Sequence, residues 1–225
     1  MMIKKFSILG IIAAGVLLLV AISFNDNKNY SNVKEHQTYQ VTSHADYAMA
    51  GDIEGLVNFS DYVVTGHYEK LLENWDMGER YYSNVYKFVI DEVNYGEVSG
   101  EIEVAIPHFR QLSTIVEDEE YTANVELPNY TQPELGQKFV LFLKKYEPKN
   151  IFTPASVPFQ IEINKENLSI LKFNENNNQQ EVRTKNNDSI IFSGEEIDVD
   201  SIDKVTGLEK EDLMKQITEA ITKKK

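Results

Sequence analysis

The segment KFVLFLK, residues 138–144, decides the fold prediction because five apolar residues follow one another in it without a polar break. A continuous apolar run of this length is typical of a strand that is buried on both faces. Two further runs rich in apolar residues, 159–163 and 168–173, are joined by the turn-forming residues 164–167, and they predict a β-hairpin. The centre of the domain is therefore predicted to be a β-sheet.

Three more strands are predicted on the N-terminal side of this centre, at 62–70, 81–93 and 101–106. The first is rich in β-branched and aromatic residues, and the second carries apolar groups on both faces, as in a long strand that bends. The third alternates strictly, and we expect Pro107 to end it. Residues 108–137 are acidic and irregular, and they predict a long connection, in which 121–127 is the candidate for a minor strand.

A helix is predicted on each side of these strands. Residues 51–59 place apolar side chains at helical spacing behind the N-cap candidate Asp52, and residues 206–209 form a capping box before a second amphipathic helix. The sequence therefore predicts a mainly β fold with flanking helices. We expect a small, partly open barrel of OB type, with a β-sandwich as the alternative.

The N-terminal residues 1–24 predict a membrane-targeting segment. Lys4 and Lys5 precede residues 6–24, nineteen residues without a charge, and a membrane-spanning helix needs roughly 20 apolar residues. The lysines are expected to stay in the cytoplasm. One interpretation is a signal anchor that holds a single-pass protein in the cell membrane through contact with the lipid bilayer. The alternative is a signal peptide cleaved after Ser23, which would release a secreted protein.

The remaining chain divides into two predicted parts that both lie outside the cytoplasm. Residues 25–49 are polar and show little periodicity, and we interpret them as a flexible tether. Residues 50–225 are predicted to form an extracytoplasmic β-rich domain that ends in the C-terminal helix.

The composition limits the classes of partner and of chemistry. Acidic residues outnumber basic ones by 36 to 22, which gives a net charge of -14. Such a surface repels phosphate, so we expect no nucleic-acid partner. The sequence contains no cysteine, which excludes disulfides, thiolate metal sites and cysteine nucleophiles.

Motifs for catalysis or for metal binding are missing from the sequence. It contains no HExxH, GxSxG or GxGxxG pattern. The four histidines, His36, His44, His67 and His108, are widely spaced. The acidic runs 117–120 and 195–200 invite a calcium hypothesis, but the second run fails the EF-hand pattern because Ile202 and Asp203 occupy a ligand and a glycine position. We therefore predict no catalytic residue, no metal ligand and no cofactor.

Aromatic residues are concentrated in the first two predicted strands, at Tyr68, Trp75, Tyr81, Tyr82, Tyr86 and Tyr95. Tyrosine and tryptophan bury a large area and keep a polar group, so they are common at interfaces, although tyrosine is also a frequent strand residue. We take Tyr68, Trp75, Tyr81 and Tyr82 as candidates for an interface.

Three motifs carry a resemblance to a known group of proteins. FSDYVVTG at 59–66, VIDEVNYG at 89–96 and LGQKFVLFL at 135–143 resemble uncharacterised exported, membrane-anchored proteins of Bacillus-like bacteria that have a small β-barrel domain. The resemblance covers about residues 50–173, and Ser60 stands where the pattern usually has alanine. Turn glycines and core strands make up these motifs, so the resemblance implies a location and a fold and no activity.

Three functions are compatible with these observations. The first is a membrane-tethered extracytoplasmic binding module that contacts an envelope component, a partner protein or a small ligand. The second is an extracytoplasmic hydrolase with converging carboxylates, for which Asp91, Glu92, Glu101 and Glu103 are the candidates. The third is a structural protein of the envelope. The absence of a catalytic set favours the binding module.

Overall fold

The computed structural model describes residues 36–174, 179–194, 197–199 and 201–224. The predicted targeting segment 1–24 and the first part of the predicted tether lie outside these residues. Thr38–Lys225 form one compact unit. No helix within the described residues combines the length and the apolar character that are needed to cross a membrane.

The chain is mainly β with two α-helices, which confirms the coarse fold prediction. The described elements are β1 Thr38–Ser43, α1 Ile53–Phe59, β2 Tyr62–Gly78, β3 Tyr81–Tyr95, β4 Glu101–Val116, β5 Glu119–Glu126, β6 Lys138–Tyr146, a 3₁₀ turn at Glu147–Lys149, β7 Ile151–Pro154, β8 Gln160–Ile163, β9 Ser169–Lys172, β10 Gln180–Arg183, β11 Ser189–Gly194 and α2 Lys210–Lys224.

The larger sheet contains eight of the described strands. β2, β3, β4 and β5 follow one another as antiparallel neighbours. β6 pairs antiparallel with β2, β7 and β8, and β8 forms the predicted hairpin with β9. β7 meets β4 through one parallel pair, Val104 and Phe152. The predicted central position of β6 is confirmed, because β6 lies between other strands of this sheet and pairs with three of them.

The two faces of β6 belong to two parts of the core. Phe139, Leu141 and Leu143 pack among side chains of β2, β3 and β4. Val140 and Phe142 point the other way and pack against the two helices. All five residues are at most 1% exposed, which explains why this strand has no polar face.

The helices cover the second of these faces. Oδ1 of Asp52 accepts a hydrogen bond of 2.8 Å from the N–H of Gly55, which confirms the predicted N-cap of α1. The predicted capping box of α2 is wrong, since the helix begins at Lys210 and the hydroxyl of Thr206 accepts a hydrogen bond from the N–H of Leu171. The predicted apolar stripe of α2 is nevertheless buried at Leu213, Ile217, Ala220 and Ile221.

The prediction that Pro107 ends the third strand is wrong. β4 continues to Val116 and then forms a hairpin with β5, so much of the predicted irregular connection is sheet. The register between β3 and β4 shifts beside the proline: Ser83 pairs with Pro107, and Tyr82 pairs with Phe109. A β-bulge of this kind accommodates a residue that has no N–H to donate.

A second sheet of three strands joins distant parts of the chain. β1 pairs in parallel with β11, and β11 pairs antiparallel with β10. The tether prediction for 25–49 therefore does not hold for the residues of β1. Ile190 and Phe192 of β11 are buried against the β4–β5 hairpin, and this apolar contact explains why a polar-looking segment is ordered as sheet.

Candidate functional site

The four interface candidates differ in burial. Tyr68 is fully buried, whereas Trp75, Tyr81 and Tyr82 are half-buried. The ring of Tyr68 meets the rings of Phe88 and Phe139 edge to face, with centroids 5.0 and 5.2 Å apart. The interface prediction is corrected for Tyr68, because its side chain points to the core face of β2.

Trp75 lies at the centre of a partly exposed aromatic and cationic surface. The ammonium of Lys149 lies 4.1 Å from the centroid of the Trp75 ring, and the ring of Tyr146 lies 5.8 Å away. Tyr146 is 42% exposed. The indole rests on three buried side chains, those of Val85, Ala105 and Ile151. We call Trp75, Tyr146 and Lys149 the Trp75 patch.

Tyr81 and Tyr82 point to opposite faces of β3, and each contacts its partner on β4. The guanidinium of Arg110 lies 4.8 Å from the centroid of the Tyr81 ring, and Arg110 also donates a hydrogen bond of 3.0 Å to the hydroxyl of Ser43. Tyr82 stacks on Phe109 with centroids 4.6 Å apart and planes at 20°. Two of the half-buried rings, those of Trp75 and Tyr81, thus each have a cation over one face.

The remaining polar side chains of the aromatic region form a buried network. The hydroxyl of Tyr68 donates to Oε1 of Gln160 at 3.0 Å, and Nε2 of Gln160 donates to the hydroxyl of Thr131 at 2.8 Å. Nδ2 of Asn84 donates to the hydroxyl of Tyr130 at 2.8 Å. Tyr130 and Thr131 belong to the segment between β5 and β6. The network therefore fastens this segment to the sheet.

The environment of the network makes its tyrosines poor acids. Burial raises the pKa of Tyr68, and the nearby Tyr86 raises it further. Burial also raises the pKa of Tyr86, as does its hydrogen bond to Tyr130. Both hydroxyls stay neutral at physiological pH, which suits hydrogen bonding that holds the fold together and does not suit base catalysis.

His108 packs against the same segment. Its ring is stacked on that of Tyr130, with centroids 3.9 Å apart. Burial lowers the pKa of His108, while the negative charge of Glu126 acts in the opposite direction. The neutral imidazole is therefore favoured at this position.

Two of the four carboxylates proposed for a hydrolase form ion pairs with lysines. Asp91 lies 3.3 Å from Nζ of Lys138, and Glu101 lies 2.7 Å from Nζ of Lys87. Glu92 and Glu103 are exposed. The two ion pairs thus use different lysines, one on β3 and one on β6.

The acidic run 117–120 contacts basic and amide side chains. Glu120 pairs with Arg80 at 3.2 Å, Glu119 pairs with Lys185, and Glu117 accepts a hydrogen bond from the amide of Asn186. Residues 195, 196 and 200 of the second acidic run lie outside the described residues. In the part of the chain that is described, no group of three histidine, aspartate or glutamate side chains is arranged to hold a metal ion.

An open cavity of about 510 Å³ lies beside the start of α2, and Asn167, Glu209 and Met214 are among the residues that line it. None of the interface or carboxylate candidates lines this cavity. It is therefore separate from the aromatic region.

The outer half of β2 forms a free edge of the larger sheet. β6 pairs only with Tyr62–His67, so among the described strands residues 70–78 have β3 as their single neighbour. Leu71, Leu72 and Met77 are 46%, 40% and 42% exposed on this segment. We call residues 70–78 the β2 edge. Together with the Trp75 patch it is the most exposed apolar region of the β2–β3 hairpin.

Sequence reasoning missed four residues of this region: Phe109, Arg110, Tyr146 and Lys149. The first two follow Pro107, where the third strand was expected to end, and the last two lie beyond the predicted end of the central strand. The aromatic and β-branched residues after Pro107, Phe109 and 114–116, are a signal that could have extended the strand. The sequence carries no comparable signal for Lys149, which reaches Trp75 through a turn.

Comparison of the chain with protein-family models, with curated proteins and with solved structures found no match. The resemblance to exported proteins of Bacillus-like bacteria thus remains a prediction.

Proposed function

We propose that this chain is a membrane-tethered extracytoplasmic binding module whose partner is an envelope component or another protein. In this proposal residues 6–24 lie in the lipid bilayer, or are removed by cleavage after Ser23, and the β-rich domain is exposed outside the cytoplasm. The uncharged apolar segment behind two lysines supports this location. The net charge of -14 argues against a nucleic-acid partner.

We further propose that the larger sheet is a small, partly open barrel of OB type. The pairings support this, since β2, β3, β4, β7 and β6 follow one another and β6 pairs again with β2. A single residue pair joins β4 to β7, which would leave the barrel partly open there. Barrels of this type present an outer sheet surface and its loops to their ligands.

The Trp75 patch is the observation that carries the binding proposal. Its rings are partly exposed and yet fixed, because Trp75 rests on buried residues of β3, β4 and β7 and is covered on one face by Lys149. Tryptophan, tyrosine and arginine are the residues most enriched where interfaces are strongest. A fixed aromatic surface loses little conformational entropy when a partner binds.

Chemical cross-linking of the intact protein in its native envelope tests the proposal. We would compare the wild type with the Trp75→Ala, Tyr82→Ala and Tyr146→Ala variants, and identify the cross-linked adducts by mass spectrometry. Phe59→Ala is the matched control, because Phe59 is 37% exposed at the end of α1. Thermal unfolding of each variant reports whether the fold is retained.

We expect a specific adduct whose yield falls at least tenfold in a variant of the Trp75 patch and is unchanged in the control. Tyr146→Ala keeps this test decisive if Trp75→Ala unfolds the protein, because the Tyr146 ring is exposed. Stable variants of Trp75, Tyr82 and Tyr146 with an unchanged adduct yield would overturn the assignment of this surface. The absence of any specific adduct would overturn the binding function itself.

A further inference from the structure

We propose that the β2 edge accepts an extended, positively charged segment of the partner protein as an additional strand of the sheet. This inference rests on the proposed binding function and names its mode of recognition. Strand addition joins main-chain hydrogen bonds to side-chain contacts on alternate residues. Two properties of the β2 edge, its free backbone and its charge, lead to this proposal.

The backbone of the β2 edge has room for a strand. Its nine residues span about 30 Å at roughly 3.3 Å per residue, and β3 is their one neighbour among the described strands. Antiparallel pairing uses the N–H and C=O groups on the side toward β3, which leaves the groups on the other side for a further strand. The N–H of Gly78 is already used, since it donates to Oδ1 of Asp76 at 2.9 Å. The segment contains no proline, which would remove a donor from this side.

The β2 edge lacks some of the features that protect sheet edges. Folded proteins shield such edges with charged side chains such as lysine, with prolines, with β-bulges or with a covering segment. Here Lys70 is the one lysine, and Leu71, Leu72 and Met77 are exposed. Leu72 and Met77 occupy register irregularities against β3, so their side chains are displaced from the regular alternation of the strand. Sδ of Met77 accepts a hydrogen bond of 2.8 Å from the hydroxyl of Ser83 on β3, so Leu71 and Leu72 are the apolar side chains that can contact an added strand.

The charge of the β2 edge selects a basic partner. Residues 70–78 contain two acidic residues, Glu73 and Asp76, and one lysine, and Glu69 and Glu79 flank them. In the described structure the carboxylates of Glu73, Asp76 and Glu79 form no ion pair, whereas Glu69 pairs with Lys87 at 2.9 Å. A second copy of this chain would bring the same acidic residues and a net charge of -14 against this edge. Lysine or arginine residues on the added strand would meet these carboxylates favourably.

Amide hydrogen exchange on the full chain in detergent micelles tests the inference. The probe is a ten-residue peptide of alternating lysine and valine, and a peptide of alternating glutamate and valine is its control. We expect the lysine peptide to slow exchange at least tenfold at those amides of residues 70–78 that point away from β3. The slowing should weaken as salt is added, and the glutamate peptide should leave exchange unchanged.

Substitutions at two exposed residues distinguish strand addition from non-specific electrostatic attraction. Leu72→Lys places a lysine on the edge and Glu73→Lys reverses its charge, and each is expected to weaken peptide binding at least tenfold. Ile115→Lys is the matched control, since Ile115 is 72% exposed near the end of β4 and lies outside the β2 edge. It should bind the lysine peptide like the wild type.

Three results would overturn the inference: unchanged exchange at 70–78, equal slowing by both peptides, or slowing that grows with protein concentration when no peptide is present. The last result would show pairing between two copies of the chain. An envelope adduct that survives Leu72→Lys, with no slowing by the peptide, would overturn the edge inference and keep the binding function. Slowing by the lysine peptide without any envelope adduct would uphold the edge and overturn the function.

Discussion

The hydroxyl of Tyr68 donates a hydrogen bond to Oε1 of Gln160 across 92 residues of sequence, and both side chains are fully buried. β2 and β8 each pair with β6, so the bond connects strands on the two sides of the central strand. The side chain of Gln160 in turn donates a hydrogen bond to the hydroxyl of Thr131. The bond therefore links the two flanks of β6 to the segment that precedes it.

Replacing Tyr68 by phenylalanine is expected to destabilise the fold by about 1–3 kcal/mol, because Oε1 of Gln160 is then buried without a donor. Urea unfolding of the full chain measures the change. Tyr146→Phe is the control, since the Tyr146 ring is exposed, and it should alter the free energy of unfolding by less than about 0.5 kcal/mol. Equal effects of the two substitutions would show that the buried bond contributes nothing.

Gly66→Ala is expected to destabilise the fold by at least about 1–3 kcal/mol through overpacking. A Cβ atom on Gly66 would lie 2.0 Å from the carbonyl oxygen of Val89, which belongs to the backbone of the neighbouring strand. In Gly194→Ala the nearest atom is Cγ1 of Val125 at 3.4 Å, so this control should keep the wild-type stability. The stabilities of the two variants are compared through their midpoints of denaturant unfolding. A Gly66→Ala protein as stable as the control would refute the close approach.

The stability of the protein is expected to fall as pH decreases through the range in which His108 titrates. The pKa of His108 is lowered from 6.5 in the folded protein, so the unfolded chain binds a proton first and is favoured at lower pH. His108→Phe keeps a ring stacked on Tyr130 and removes the titration. The variant should lose less stability than the wild type between about pH 7.5 and about pH 5.5. The free energies of unfolding of the two proteins would be measured in urea at each pH. Equal losses over this pH range would contradict the expectation.

The end of α2 is expected to stabilise the end of α1 through Lys224. Its ammonium donates hydrogen bonds to the carbonyl oxygens of Val57, at 2.8 Å, and of Ser60. Lys224→Met should therefore lower the free energy of unfolding by about 1 kcal/mol. Lys223→Met removes an exposed ion pair with Glu54 and should change it by less than about 0.5 kcal/mol. Thermal unfolding should give Lys224→Met a lower midpoint temperature than Lys223→Met. The reverse order would contradict the prediction.

The elements that sequence analysis located correctly are those whose signal is local. The central strand β6 has a continuous apolar run, and the β8–β9 hairpin has two runs around a turn. α2 has an apolar stripe that survives an incorrect N-terminal boundary. In each case the residues that form the element also carry the pattern that predicts it.

The elements that sequence analysis missed depend on distant partners. β1 is ordered by pairing with β11, and β11 is held by apolar contact with the β4–β5 hairpin. Pro107 remains inside β4 because a bulge accommodates it, and a bulge is a property of the pairing with β3. None of these relationships can be recognised from residues that are neighbours in the sequence.

The aromatic content of the sequence located the candidate site, but only the fold shows which of its residues are buried and which are exposed. Tyr68 and Tyr82 both looked like strand aromatics, yet one is buried and the other is partly exposed. Register irregularities in β2 between these ends of the hairpin change which face each residue occupies, and simple alternation cannot place them. The contact of Lys149 with Trp75 likewise depends on the packing of a turn onto the sheet.

The parallel pairing of β1 with β11 sets an order of assembly. Thr42 and Ser193 are hydrogen-bonded across 151 residues, so a chain made from its N-terminus holds β1 without its partner until nearly the whole domain has emerged. At a synthesis rate of about 5–20 residues per second this interval is roughly 8–30 s. Throughout it β1 is a strand without its partner, open to pairing with other nascent chains, and of the described elements only α2 emerges after the small sheet can form.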